Sequence, residues 1–189
     1  MKKIFAVLTL LLVMIFGIGA PQTAQAAIDQ RPVGFVVIDN SGDVTNADYK
    51  QWRTATRWAY RFPNYKIVDS GESEAVVGNV LVKNVKVTPQ LLSKLAEESK
   101  VDVLVIVKVY AMSDNIVSGS MSPFDDGGPY VLLDLSADLY VYKKDGDKFL
   151  KKRLRERELK DMGNYDKPAE TIKWDLANLV NKMEGRPKI

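Results

Sequence analysis

Residues 101–112 read VDVLVIVKVYAM, and this stretch decides the fold. Side chains of a strand alternate between its two faces. Val101, Val103, Val105, Val107 and Val109 therefore share one face. Leu104, Ile106 and Tyr110 share the other, interrupted by Lys108. A strand that is apolar on both faces is covered on both faces, so it belongs inside a sheet. The other segments are placed by asking what pairs with it or covers it.

Residues 33–38 (VGFVVI) run into the turn cluster Asp39-Asn40-Ser41-Gly42-Asp43 and are expected as a buried strand beside the central one. Residues 27–32 before them read as a short tail. Thr45 or Asn46 caps a helix expected to reach about Phe62, where Pro63 ends it. Tyr49, Trp52, Ala55, Ala59 and Phe62 recur at helical spacing and form its inner face. Lys50, Arg53, Arg57 and Arg61 lie three and four residues apart on another face. Such a row is either a solvated helix face or a docking stripe for an anionic surface: a partner protein, phospholipid head groups or a wall polymer. Residues 65–69 (YKIVD) suit a short strand. Residues 72–87 fit two readings, since Ala75-Val76-Val77 suits a helix while residues 80–87 are rich in β-branched side chains. Thr88 as N-cap and Pro89 at the first helical position start another helix, with Leu91, Leu92, Leu95 and Ala96 on its buried face. The central strand follows almost at once. This strand–helix–strand unit implies parallel pairing and a right-handed crossover.

Residues 113–129 (SDNIVSGSMSPFDDGGP) read as a long turn-rich loop, a class that tends to be functional or disordered. Met121 and Phe124 are its apolar candidates for partner binding. Residues 130–142 and 148–161 form a hairpin about Asp145-Gly146, a type I′ turn signal. With Lys144 opposite Asp147, Asp138 faces Arg153, Asp134 faces Arg157, Tyr140 faces Lys151 and Leu132 faces Leu159. Opposite charges thus meet on one face, each pair contributing roughly 0.2–1 kcal/mol. The other face of the first strand is Val131, Leu133, Leu135, Ala137, Leu139 and Val141, and turns to the core. Its partner presents Leu150, Lys152, Leu154, Glu156 and Glu158 there, too polar for a covered strand, so residues 148–161 are an edge blunted by charge. Asp166 is placed to cap a last helix with Pro168 in its first turn and Ile172, Leu176, Leu179, Val180 and Met183 as its buried stripe. Trp174 lies opposite that stripe, as a rim residue or a partner contact.

The chain has 189 residues, enough for one domain, and its 46% hydrophobic and 27% charged shares are those of a folded protein. Residues 1–26 stand apart. Lys2 and Lys3 precede an apolar run over residues 4–19, Pro21 breaks it, and Ala24-Gln25-Ala26 forms an A-x-A cleavage site. This is the pattern of a secretory signal peptide, leaving residues 27–189 as a single domain with no further run long enough to span a membrane. Removing two of the 27 basic residues leaves 25 against 24 acidic, a net charge of +1. That balance gives no reason to expect nucleic-acid binding.

The chain has no Cys and no His. Disulfides, an acylated cysteine and Cys/His zinc sites are thereby excluded, as are His-based catalytic arrangements. Asp39-Asn40-Ser41-Gly42-Asp43 resembles the start of a calcium loop, but the sixth position, where an EF-hand needs Gly, holds Val44. No phosphate-binding loop, dinucleotide motif or S-x-x-K nucleophile is present. The expectation is a protein without cofactor or catalysis.

The order of elements, together with the stretches VGFVVIDNSGD, SKVDVLVIVKVYAMSDN and LDLSADLYVYKKDGD, resembles the small α/β domain shared by the TolB amino-terminal domain, the curli-secretion protein CsgG and the penicillin-binding-protein activator LpoB. The resemblance spans most of residues 33–183. It implies an α/β (α+β) fold with one mixed sheet in the order β-α-β-α-β-β-β-α, ending in a hairpin and a helix. It also implies an exported, periplasmic or extracellular envelope protein that works by binding other proteins. Two further readings stand beside this one. One is a ligand- or wall-polymer-binding protein using a crevice near residues 39–43. The other is a hydrolase built on paired carboxylates or a Ser–Lys pair.

Overall fold

The fold is that of a computed structural model in which residues 30–68, 70–82, 85–117 and 129–189 are described. The candidate leader, residues 1–26, and the loop candidates Met121 and Phe124 lie outside the described residues. Within them the chain runs β1 (Arg31–Asp39), α1 (Asn46–Ala59), β2 (Tyr65–Ile67), α2 (Ser70–Leu81), α3 (Pro89–Glu98), β3 (Val103–Val117), β4 (Tyr130–Lys143), β5 (Lys148–Asp161) and α4 (Pro168–Met183). The strands form one mixed sheet in the order β2-β1-β3-β4-β5. This is the expected α+β class, with one helix more than the sequence reading contained.

β3 is interior, parallel to β1 on one side and antiparallel to β4 on the other. Every residue from 103 to 109 is buried. One face of the sheet carries Phe35, Val103, Val105, Val107, Leu139 and Val141 against α1 and α4. The other carries Val36, Ile38, Leu104 and Ile106 against α2 and α3. β2 and β3 are both parallel to β1, but β1 stands between them. The parallel pairing expected across the crossover is therefore made by each with β1, not between the two.

Of residues 72–87, which fit two readings by sequence, those up to Leu81 are helical. Ser73, Val77 and Leu81, four residues apart, form one buried face of α2. Gly34 of β1 lets that face come close: a Cβ there would lie 3.2 Å from Leu104 Cδ1 and 3.3 Å from Ser73 Oγ. Tertiary packing overrides the strand preference of the valines around it.

The β4–β5 register is the expected one, with Asp138 opposite Arg153, Asp134 opposite Arg157, Tyr140 opposite Lys151 and Leu132 opposite Leu159. The turn is not type I′. Its left-handed residues are Gly146 and Asp147, where type I′ needs residues 145 and 146. Asp147 N donates to the Lys144 carbonyl at 3.1 Å, which closes a four-residue loop without shifting the ladder.

Several boundaries differ from the sequence reading. β1 begins at Arg31, inside the expected tail. α1 stops at Ala59, where Tyr60 leaves helical geometry as the C-cap while its N–H still donates to the Thr56 carbonyl at 3.1 Å. Tyr60 takes the buried place expected of Phe62, which is 69% exposed. β3 continues to Val117, since residues 113–117 pair with residues 130–134 of β4 and are strand, not loop. Tyr110 is an extra residue in that ladder, a bulge that shifts the register. Asp166 does not cap α4; Lys167 holds the N-cap position with no side-chain hydrogen bond, and Pro168 keeps the first turn.

Two glycines test this packing. Gly34→Val should lower the unfolding free energy in urea by about 1–3 kcal/mol through overpacking against α2. Gly78→Ala, on α2 with open space at its Cβ, should raise it by about 0.5–1 kcal/mol.

Candidate functional site

α1 is held firmly. Thr45 Oγ1 accepts from Asp48 N at 3.2 Å while the Asp48 carboxylate accepts from Thr45 N at 3.0 Å, a reciprocal capping box. Trp52 Nε1 donates to the Ala169 carbonyl of α4 at 2.8 Å, and Tyr49 meets Phe35 edge-on at 5.5 Å. These contacts turn Lys50, Arg53 and Arg57 away from the core. Arg61 lies past the helix end, in the turn toward β2.

All four cations line one groove of about 600 Å³ between α1 and β2, with Tyr60, Tyr65 and Ile67 among its other walls. None of the described residues lining it is acidic. Like charges one turn apart on a helix repel by a few tenths of a kcal/mol per pair. The row therefore contributes nothing to the fold through its own spacing. Exposed Phe62 lies at the same groove.

Behind the groove, Tyr65 OH donates to Glu184 Oε2 at 3.1 Å, and Lys143 Nζ reaches both Glu184 oxygens at 2.9 Å. This largely buried pair ties β2 and the end of β4 to the end of α4. Burial lowers the Lys143 pKa, but the hydrogen bonds to Glu184 and Tyr65 outweigh it and hold it above the usual lysine value. Tyr60 packs edge-on against Tyr65 at 4.9 Å, and its hydroxyl is buried without a hydrogen bond. Burial and the Glu184 carboxylate push its pKa up.

A second charge cluster sits on the opposite face. Asp138 is 3% exposed. Its carboxylate accepts from Tyr140 OH at 2.9 Å, Lys151 Nζ at 3.0 Å, Arg155 Nη2 at 3.2 Å and Arg153 Nε at 3.3 Å. Burial alone would raise its pKa, but the hydrogen bonds from Lys151 and Tyr140 and the charges of Lys151 and Arg155 hold it below the usual carboxylate value. Nearby, buried Lys108 donates to the Leu81 carbonyl at 2.6 Å, closing the C-terminal end of α2. Burial lowers its pKa, and the Asp138 charge opposes that. Sequence reasoning paired Asp138 with Arg153 and left Lys108 unexplained. The signal was its presence in an otherwise apolar face. The lone pairs of Asp138 are engaged by these cations, so the cluster is a structural tie.

The remaining candidates do not join the groove. Asp39 accepts from Ser41 N at 2.9 Å, Gly42 N at 2.9 Å, Ser41 Oγ at 2.7 Å and Val44 N at 3.2 Å, so its oxygens close their own turn. Those contacts hold its pKa low against the opposing effect of burial. Trp174 is 42% exposed on α4 under the Lys173 ammonium, 4.7 Å from the ring centre. Among the described residues no three acidic side chains converge as metal ligands, and no helix is long and apolar enough to cross a membrane.

No protein-family model and no curated protein matches the chain. Among solved structures it is similar to the hypothetical protein CT253 from Chlamydia trachomatis, at TM-score 0.45 and 9% identity over 82% of this chain and 96% of that one. It is also similar to lipoprotein GNA1162 from Neisseria meningitidis, at TM-score 0.36 and 15% identity over 82% of this chain and 99% of the other. A third likeness is to the rare lipoprotein B from Shewanella oneidensis, at TM-score 0.33 and 13% identity over 82% and 94%. Likenesses this distant do not say what the chain binds.

The Asp138 ties give a pH signature. A carboxylate whose folded pKa is depressed contributes stability above its unfolded value, about 4, and loses that contribution as pH falls through the folded value. Asp138→Asn should cost about 2–3 kcal/mol in urea melts at pH 7, below the full penalty for a broken buried pair because the partner cations are partly exposed. The gap between parent and variant should narrow below pH of about 4.

Proposed function

We propose that this chain is an exported cell-envelope module that binds an anionic protein partner through the α1–β2 groove and performs no catalysis. The observation that carries the reading is the convergence of Lys50, Arg53, Arg57 and Arg61 on one groove with no acidic side chain among its described walls. Unlike charges in a concave, partly desolvated site steer and hold a partner more strongly than the same charges on a flat surface. Export is supported by the leader pattern of residues 1–26 and by the resemblance to the small domain of TolB, CsgG and LpoB. The absence of catalysis is supported by the engagement of Asp39 and Asp138 in internal hydrogen bonds.

The test is recovery of bound envelope proteins by the purified parent and by a variant carrying Arg53→Glu, Arg57→Glu and Arg61→Glu. A charge-matched control carries Lys94→Glu, Lys148→Glu and Lys188→Glu, all outside the groove. The expected result is at least about a tenfold loss for the groove variant, equivalent to about 1.4 kcal/mol, and little change for the control. Equal recovery by all three proteins defeats the assignment.

A further inference from the structure

We propose that the occupant of the groove is an acidic, extended segment of the partner protein, added as a strand to the open edge of β2. This rests on the reading of the groove as a partner site and goes beyond it, because it specifies backbone pairing as well as charge.

Among the described residues, β2 is the terminal strand of the sheet and pairs with β1 alone. The parallel ladder fixes which backbone groups are used. Asn64 O accepts from Arg31 N at 2.9 Å, and Val68 N donates to Val33 O at 3.0 Å. Even-numbered residues of β2 therefore turn their backbone groups to β1, and residues 65 and 67 turn theirs outward. Tyr65 N donates to the Arg61 carbonyl at 3.2 Å. The Tyr65 carbonyl and the Ile67 N–H and C=O point to the open side, where an added strand would lie about 4.8 Å away. Tyr65 and Ile67 also line the cationic groove, so that strand would run beside the α1 cations.

The spacings agree. β1, α1 and β2 form a unit with parallel strands, so α1 runs antiparallel to β2. Cations four residues apart on a helix are separated by about 6 Å along its axis. Alternate side chains of a strand are separated by about 6.6–6.8 Å. An added strand with acids at every second position would thus set successive carboxylates against successive turns of α1. Its main chain supplies affinity and its alternating acids supply selectivity, as in other cases of strand addition. A membrane surface would read the cations without using the β2 edge.

The probe is a synthetic peptide of about eight residues alternating Glu with Thr, long enough to pass the length of β2. Its companions are the same peptide N-methylated at alternate backbone nitrogens, and phosphatidylglycerol vesicles. Binding is read by calorimetry and by hydrogen exchange at the Ile67 amide. Arg57→Glu with Arg61→Glu removes charge. Ile67→Pro removes the outward N–H at an edge position where proline is tolerated, and circular dichroism checks that it folds. The expected result is peptide binding weakened at least about tenfold by either change, and by N-methylation, with slowed Ile67 exchange in the complex. If Ile67→Pro and N-methylation leave affinity unchanged while the arginine reversals abolish it, strand addition is wrong and the groove reading stands. Failure of the peptide to bind, or vesicle binding in its place, also overturns strand addition. Peptide binding insensitive to the arginine reversals would sink both.

Discussion

Residues 103–109 of β3 are shut from solvent on both faces of the sheet, and six of these seven are apolar. Burying a Val, Leu or Ile side chain fully is worth about 1.5–3 kcal/mol. A border position would forfeit part of that for each residue and leave a hydrophobic strand edge unpaired. β3 must therefore be flanked by strands and sandwiched by helices. β1 and β4 supply the flanks; α1 and α4 cover one face, α2 and α3 the other. The weaker strands are pushed outward, which leaves short β2 and charged β5 at the borders.

The one polar residue in that span shows how the fold treats charge. Lys108 is buried, yet its ammonium lies at the carbonyl end of α2, where a helix carries unsatisfied acceptors and partial negative charge. Asp138 sits across the ladder from Lys108 and is ringed by Lys151, Arg153 and Arg155. Each buried charge has found a partner, as burial requires. The two together link α2 to β3 and β4 to β5, so the polar residues of the core mark where separate elements are joined.

The cations of β5 and those of α1 have different roles. Three β5 cations bind Asp138, Lys152 reaches Asp175 of α4, and Arg157 faces Asp134, so the edge strand spends its charge on the fold. The α1 row instead borders a groove whose described walls carry no acid, beside a strand with backbone groups still directed outward. Like charge gathered beside the terminal strand makes this seam the most informative part of the surface.

Much of this was legible from residues 101–112 and 130–161. A period of two puts Leu133, Leu135 and Leu139 on the core face, and centring the turn on Asp145-Gly146 sets Lys144 opposite Asp147, so the hairpin register was legible although the turn itself is not type I′. Capping by Thr45 and Thr88 was equally local, because the side chain and the amide it accepts from are three residues apart. The identity of α2 was not. Ala75-Val76-Val77 suited a helix and residues 80–87 a strand, and the packing of Ser73, Val77 and Leu81 above Gly34 and Leu104 goes with the helix. Nor was the setting of the cationic row. Spacing placed Lys50, Arg53 and Arg57 on one side of a helix, but their meeting with Tyr65 and Ile67 depends on β2 lying outside β1. The strand order that puts β2 there comes from β3 claiming the centre of the sheet, a competition among distant segments for the same buried space, which no local pattern encodes.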